Sequence, residues 1–176
     1  MKRISFKDSN GLNLTQMVLT GRKTMTRRNT RMYEIGDLVA VQQPYREIVH
    51  ECAELHDILL NSDGQLNDEF RAGWNNKMFV RAELMPHHIR ITALRQERLQ
   101  DISDEDCMKE GVKEESKYPP IRYAYRWSID QDGDVLSSHW CSTPREAFAS
   151  LIDKVSGRGT WEKNPIVWVY EFELVD

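Results

Sequence analysis

Three cysteines, at positions 52, 107 and 141, are too few and too widely spaced for a disulfide framework. Their odd number predicts free thiols and a reducing, cytoplasmic setting. No apolar run approaches the roughly 20 residues that a membrane span needs, so no membrane partner is expected. Residues 1–8 lack the apolar core of a secretory signal. Internal repeats and low-complexity tracts are missing. An excess of positive charge is missing too: 24 Lys and Arg face 28 Asp and Glu, for a net charge of −4. That balance excludes a protein that coats nucleic acid non-specifically, because such proteins are basic across a whole face. A glycine-rich phosphate loop of the nucleotide-hydrolase kind is likewise missing, and Gly157-Arg158-Gly159 reads as a helix-ending loop. What remains is a chain of 176 residues, 40% hydrophobic, long enough to bury a core as one globular domain over residues 1–176.

Against this acidic background residues 22–31 stand out. Arg22, Lys23, Arg27, Arg28 and Arg31 place five cations there with no acid, and Thr24 and Thr26 lie among them. Such a segment is suited to an anion, or to a polar ligand that carries one. The plainer reading is a solvated basic loop that offsets the dipole of the helix before it. Any nucleic-acid contact should be local and centred on this run.

The element order is mixed. Residues 4–6 predict a short first strand. Leu14, Met17 and Val18 have helical spacing within residues 10–20, with Gly21 at the C-cap. Gly36-Asp37 predicts a turn into a buried strand over residues 38–41. Residues 46–88 are ambiguous, with a possible strand at 78–80. Residues 89–94 alternate as a strand. Ser103 caps a helix with acids in its first turn, closed by Gly111. Residues 112–142 form a long excursion, with a hairpin expected at Asp132-Gly133. Thr143-Pro144-Arg145-Glu146 is a capping box ahead of an apolar stripe through Ala147, Phe148, Leu151, Ile152 and Val155. Residues 165–175 close the chain as a long strand. It is expected to carry Ile166, Trp168, Tyr170, Phe172 and Leu174 on one face, and to begin buried on both. Strand and helix do not alternate regularly enough for a doubly wound sheet, so the fold class is α+β, with a small barrel or strongly curved sheet and peripheral helices.

The combination resembles the ASCH domain family, a branch of the PUA-like β-barrels. The matching residues are Leu19-Thr20-Gly21-Arg22-Lys23-Thr24-Met25-Thr26-Arg27-Arg28, Gly36-Asp37 with Val39 and Val41, Arg98-Leu99-Gln100-Asp101-Ile102-Ser103, Glu110-Gly111, Ala147-Phe148, Trp161, Asn164-Pro165 and the strand from Val167 to Phe172. The chain is most similar to the ASCH proteins of phages and prophages. The resemblance does not extend over residues 46–75 or 113–142. It implies a compact PUA-like barrel with inserted excursions at about 46–88 and 113–142, and a cleft beside the first helix. It further implies RNA binding as a general role. In a compact bacterial branch it implies removal of the acetyl group from N4-acetylcytidine by a Lys, a Thr three positions later and a Glu at the end of a later helix. Lys23, Thr26 and Glu110 match those positions. The chain departs from the compact enzymes in its length, and in Arg27, which stands where an apolar residue is expected.

Three functions follow. The first is binding of RNA, or of a modified nucleoside or nucleotide, through Arg22, Lys23, Thr24, Arg27, Arg28 and Arg31. The second is metal-independent amide hydrolysis on an N4-acetylcytidine-type nucleoside. The third is a phage accessory role in which the cleft meets a protein partner. For hydrolysis, Thr26 would attack, Lys23 would act as base and Glu110 would orient it. Burial and the neighbouring arginines lower the Lys23 pKa, while Glu110 raises it, so that balance is left to the fold. Each residue also has an ordinary role: a paired surface cation, a turn hydroxyl, a helix-end carboxylate. Cys52, His56, His139 and Cys141 lack close-paired spacing for zinc, and no metal or other cofactor is expected. His87-His88 read as loop residues. Trp74, Trp127, Trp140 and Tyr123 are read first as packing residues and second as platforms for an unpaired base.

Overall fold

The computed structural model describes residues 1–9, 12–117, 119–125, 128–129, 135–137 and 139–176. Its centre is a mixed five-stranded sheet: β1 (Lys2–Ile4), β2 (Met25–Arg28), β3 (Leu38–Val41), β4 (His88–Arg98) and β5 (Ile166–Leu174). The strand order is β1-β3-β4-β5-β2, with β1 parallel to β3 and every other neighbour antiparallel. With α1 (Leu14–Leu19), α2 (Asp104–Lys109) and α3 (Pro144–Ser156) this is an α+β fold. Among the described residues β1 and β2 are the two ends of the hydrogen-bonded order, so closure into the expected small barrel is not part of it.

Local chemistry accounts for the element ends. The Ser103 hydroxyl accepts the Asp106 N–H at 3.1 Å and opens α2. The Thr143 hydroxyl accepts the Glu146 N–H at 3.1 Å and opens α3, with Pro144 as its first residue. The Glu146 carboxylate reaches back to the Ser142 N–H at 2.9 Å. The α3 stripe of Ala147, Phe148, Leu151 and Ile152 is buried in the main core with Cys107, Val167 and Val169.

The last strand differs from its expected burial. Ile166 is 51% exposed, while Val167 and Val169 are buried. Only one face is covered at that end. The other face becomes buried at Tyr170 and Phe172, where the Tyr33 and Phe6 rings pack against them at 5.3 and 5.9 Å. The ladder with β4 shifts register between Glu171 and Phe172.

Residues 45–85 build a second apolar cluster around Tyr45, Ile48, Leu59, Phe70 and Val80, joined to the sheet at Ala40. It consists of short segments, the longest being Ala53–Leu59. The strand considered at 78–80 is instead a turn of 3-10 helix, Lys77–Phe79, because the Asn76 side chain accepts the Met78 N–H at 3.0 Å. A Cβ on Gly73 would lie 2.4 Å from Cε2 of the buried Tyr45 ring, whose hydroxyl accepts the Arg81 N–H at 2.8 Å. Gly73→Ala is therefore expected to destabilise the protein by about 1–3 kcal/mol through overpacking. Urea unfolding measures it, and a loss under about 0.5 kcal/mol would mean that the Tyr45 ring yields freely.

In the second excursion Lys113–Glu115 pairs with Arg122–Ala124, and Ser128–Ile129 pairs antiparallel with Val135–Leu136. The expected turn at Asp132-Gly133 and Trp127 lie outside the described residues. Among the described residues no helix is long and apolar enough to cross a membrane.

Candidate active site

Adjacent cations at the end of α1 have opposite fates. The helix stops where Gly21, at φ +69°, takes the left-handed conformation that glycine adopts without strain. The N–H groups of Arg22 and Lys23 both donate to the Met17 carbonyl, at 2.8 and 2.9 Å. The chain reverses there, leaving Arg22 exposed and burying Lys23 to 2% exposure. The basic run was expected to be loop throughout, but Met25–Arg28 is the edge strand β2. Its residues 25–28 pair with Glu171, Tyr170, Val169 and Trp168 in that order. Alternation puts Met25 and Arg27 on one side of the strand and Thr26 and Arg28 on the other.

Glu110 follows α2 directly. Its backbone carbonyl accepts the Lys23 ammonium at 2.8 Å, and its Oε2 accepts the same group in a very short contact. A carboxylate at a helix C-terminus is ordinarily unfavourable beside the dipole. Here one buried cation meets both the carboxylate and a carbonyl that the helix leaves free.

Arg27 is 7% exposed and points to carboxylates. Its Nη1 donates to Glu110 Oε1 at 3.0 Å, its Nη2 to Glu97 Oε1 at 2.6 Å and to Asp106 Oδ2 at 3.1 Å. Arg95 lies across Val169 in the ladder. It donates to the other Glu97 oxygen at 2.9 Å, to Glu171 at 2.9 Å, and to Asp106. The sequence reading missed Arg95, Glu97 and Asp106. The one available signal was the polar stretch Arg95-Gln96-Glu97-Arg98, three of its four residues charged, directly after the alternating run 89–94.

Lys23, Thr26, Arg27, Arg28 and Glu110 line one cavity of about 500 Å3. Such a volume suits a small organic ligand. Apolar side chains complete the wall, with Phe6 and Leu14 from the N-terminal part and Phe148, Leu151, Ile152 and Val155 from α3. Lys7, Asp8, Asn29 and Lys77 also line it. The Thr26 hydroxyl has no hydrogen-bond partner among the described residues. Arg28 donates through Nη2 to the Ser5 carbonyl at 2.7 Å, while its buried Nε has no partner. Arg22, Thr24 and Arg31 are not on the cavity wall. Arg31 pairs with Glu34 at 2.5 Å and lies 5.2 Å over the Trp168 ring. The backbone of Thr24 bridges Lys109 and Phe172.

The electrostatics follow from this placement. Burial pushes the Lys23 pKa below the ordinary lysine value, Arg28 and Arg27 push it the same way, and Glu110 opposes them without prevailing. Burial acts to lower Arg27, but Glu110 and Glu97 hold it above the ordinary guanidinium value. Arg28 is lowered by burial. Burial raises the Cys107 thiol to about 12, which makes it an inert core group.

The remaining signals lie elsewhere. All three cysteines are free thiols: Cys52 exposed, Cys107 buried and Cys141 half-buried. Trp74 packs on the second cluster, and Trp140 stacks under Arg122 at 4.4 Å. His88 pairs with Asp176 at 2.9 Å.

No family model and no curated protein matches this sequence. Among solved structures, a crystal structure of an Enterococcus faecalis V583 protein described by the family model DUF984 is similar at a TM-score of 0.42 and 13% identity. The alignment covers 93% of this chain and 67% of that one. A likeness so distant says nothing of what the cavity holds.

Proposed function

We propose that this chain is an ASCH-type, PUA-like domain whose cavity hydrolyses the amide of an N4-acetylcytidine-type nucleoside. The observation that carries the reading is that Lys23, Thr26 and Glu110 line one cavity, with the lysine buried and its pKa depressed. A lysine whose pKa is lowered by desolvation holds more of its neutral, basic form at a given pH than an ordinary lysine does. Thr26 Oγ bonds to the acyl carbon as its proton passes to Lys23 Nζ. The C–N bond then breaks, and that proton goes to N4 of the departing cytidine. Water cleaves the ester on Thr26, releasing the carboxylic acid and restoring the hydroxyl. Glu110 holds the lysine in place, and the guanidinium of Arg28, which lines the same cavity, meets the developing oxyanion. The apolar side of α3 takes the acyl group.

RNA binding through the basic run is less well supported. Arg27 is already engaged by three carboxylates, and Arg22 and Arg31 lie off the cavity. Cytidine release from N4-acetylcytidine, followed by chromatography, tests the proposal. Turnover by the parent and none by a folded Thr26→Ala variant is the expected result. No turnover by the folded parent would leave the cavity as a binding site.

A further inference from the structure

Glu110 is a single buried carboxylate shared by two cations. Lys23 takes Oε2, and Arg27 takes Oε1 at 3.0 Å. The side chains of Arg27, Lys23 and Glu110 are 1%, 3% and 6% exposed, so water does little to screen them. Arg27 cannot swing aside, because Glu97 grips it through Nε at 3.2 Å and Nη2 at 2.6 Å, and Asp106 holds Nη2 at 3.1 Å. Those two acids are anchored in turn by Arg95. The Phe148 ring closes the remaining side, 5.6 Å from the Arg27 guanidinium carbon.

A carboxylate bound by one ammonium alone would stabilise that ammonium fully. Shared with a guanidinium that is always charged, it stabilises the ammonium less. We propose that Arg27 is a positioning residue. It fixes the Glu110 carboxylate and, by sharing it, keeps the Lys23 amine available as a base. The role in catalysis rests on the hydrolase reading above, whereas the effect on Lys23 does not. Arg28 lowers the Lys23 pKa more than Arg27 does, but of the two only Arg27 holds the Glu110 carboxylate. Arg28 faces Lys23 from the same strand but has no ion pair with Glu110, and Lys77 is tied to Asp8 at 2.6 Å. Lys7 donates to the Lys154 carbonyl at 2.9 Å, at the far end of α3.

The test is a direct titration of Lys23 by NMR in the full chain labelled at lysine, with the signal assigned by its loss in Lys23→Met. Arg27→Met removes the charge. Arg27→Gln removes it while keeping hydrogen bonds to the acids, and serves if the methionine variant does not fold. In either, the Lys23 inflection is expected to move up by about one pH unit. Arg27→Lys, which keeps the charge, is expected to move it by less than half as much. An unchanged inflection in a folded Arg27→Met or Arg27→Gln chain overturns the proposal. Where the parent turns over N4-acetylcytidine, the acid limb of kcat/KM should move with the NMR inflection, a shift that a merely structural staple would not produce. Without turnover by the parent the hydrolase reading fails, and the NMR inflection still decides what Arg27 does.

Discussion

Lys23→Ala is expected to reduce cytidine release from N4-acetylcytidine by about 10²–10⁴-fold, the usual contribution of a positioned general base. The pH dependence adds a sharper expectation. Burial lowers the Lys23 pKa, so the neutral amine forms below pH 10.5, the ordinary lysine value. Activity should therefore rise with pH along a limb that lies below the ordinary lysine range, and the limb should vanish in Lys23→Ala. The same shift fixes a sign for stability. Between the depressed folded pKa and the unfolded value, the unfolded chain binds more protons than the folded one, so stability rises with pH across that window. Turnover by Lys23→Ala at the parental rate with an unmoved pH profile would remove the lysine from the chemistry.

Glu110→Ala is expected to have the largest effect on stability, a loss of about 3–5 kcal/mol, because it leaves a buried ammonium and a buried guanidinium without their shared carboxylate. Lys23 would keep only the Glu110 backbone carbonyl, and Arg27 would keep Glu97 and Asp106. Lys23 is thus the more exposed to the loss, and it is expected to titrate to neutrality more readily. Calorimetric melting of the variant beside Glu110→Gln, which preserves volume and one acceptor, measures the effect. A loss under about 1 kcal/mol in Glu110→Ala would mean that solvent reaches the pair, which is the behaviour of surface ion pairs.

Much of the fold is legible wherever the controlling chemistry is local. The Ser103 and Thr143 caps and the Pro144 helix start sit where the residues predict them. The apolar tetrad 38–41 is strand β3 at those residues. The strand expected at 89–94 runs on to Arg98 as part of β4. Arg95, Gln96 and Glu97 do not read as strand: Arg95 and Glu97 face ion partners, Gln96 is polar, and no apolar alternation is left to detect. Residues 46–88 resist reading for another reason: segments of three to seven residues are too short for a hydrophobic period to emerge.

The site divides in the same way. Lys23, Thr26 and Glu110 were reachable through their resemblance to a motif. Arg95, Glu97 and Asp106 were not, since Arg27 meets Glu97 and Asp106 across 70 and 79 residues of sequence. That meeting depends on the registers of β2 on β5 and of β5 on β4. These strands lie far apart in sequence, so no tight turn between them fixes the register locally.

By itself the sequence determined the density of cations after α1, the turn that ends that helix, the helix caps and the apolar stripe of α3. Each of these is the work of neighbouring residues. Tertiary structure alone decided which cation became an exposed charge and which a buried one. Arg22 and Lys23 are adjacent, yet one is exposed and the other is sealed against Glu110. Charge is a property of the residue. Desolvation and the partner carboxylate come from parts of the chain brought together only by the fold.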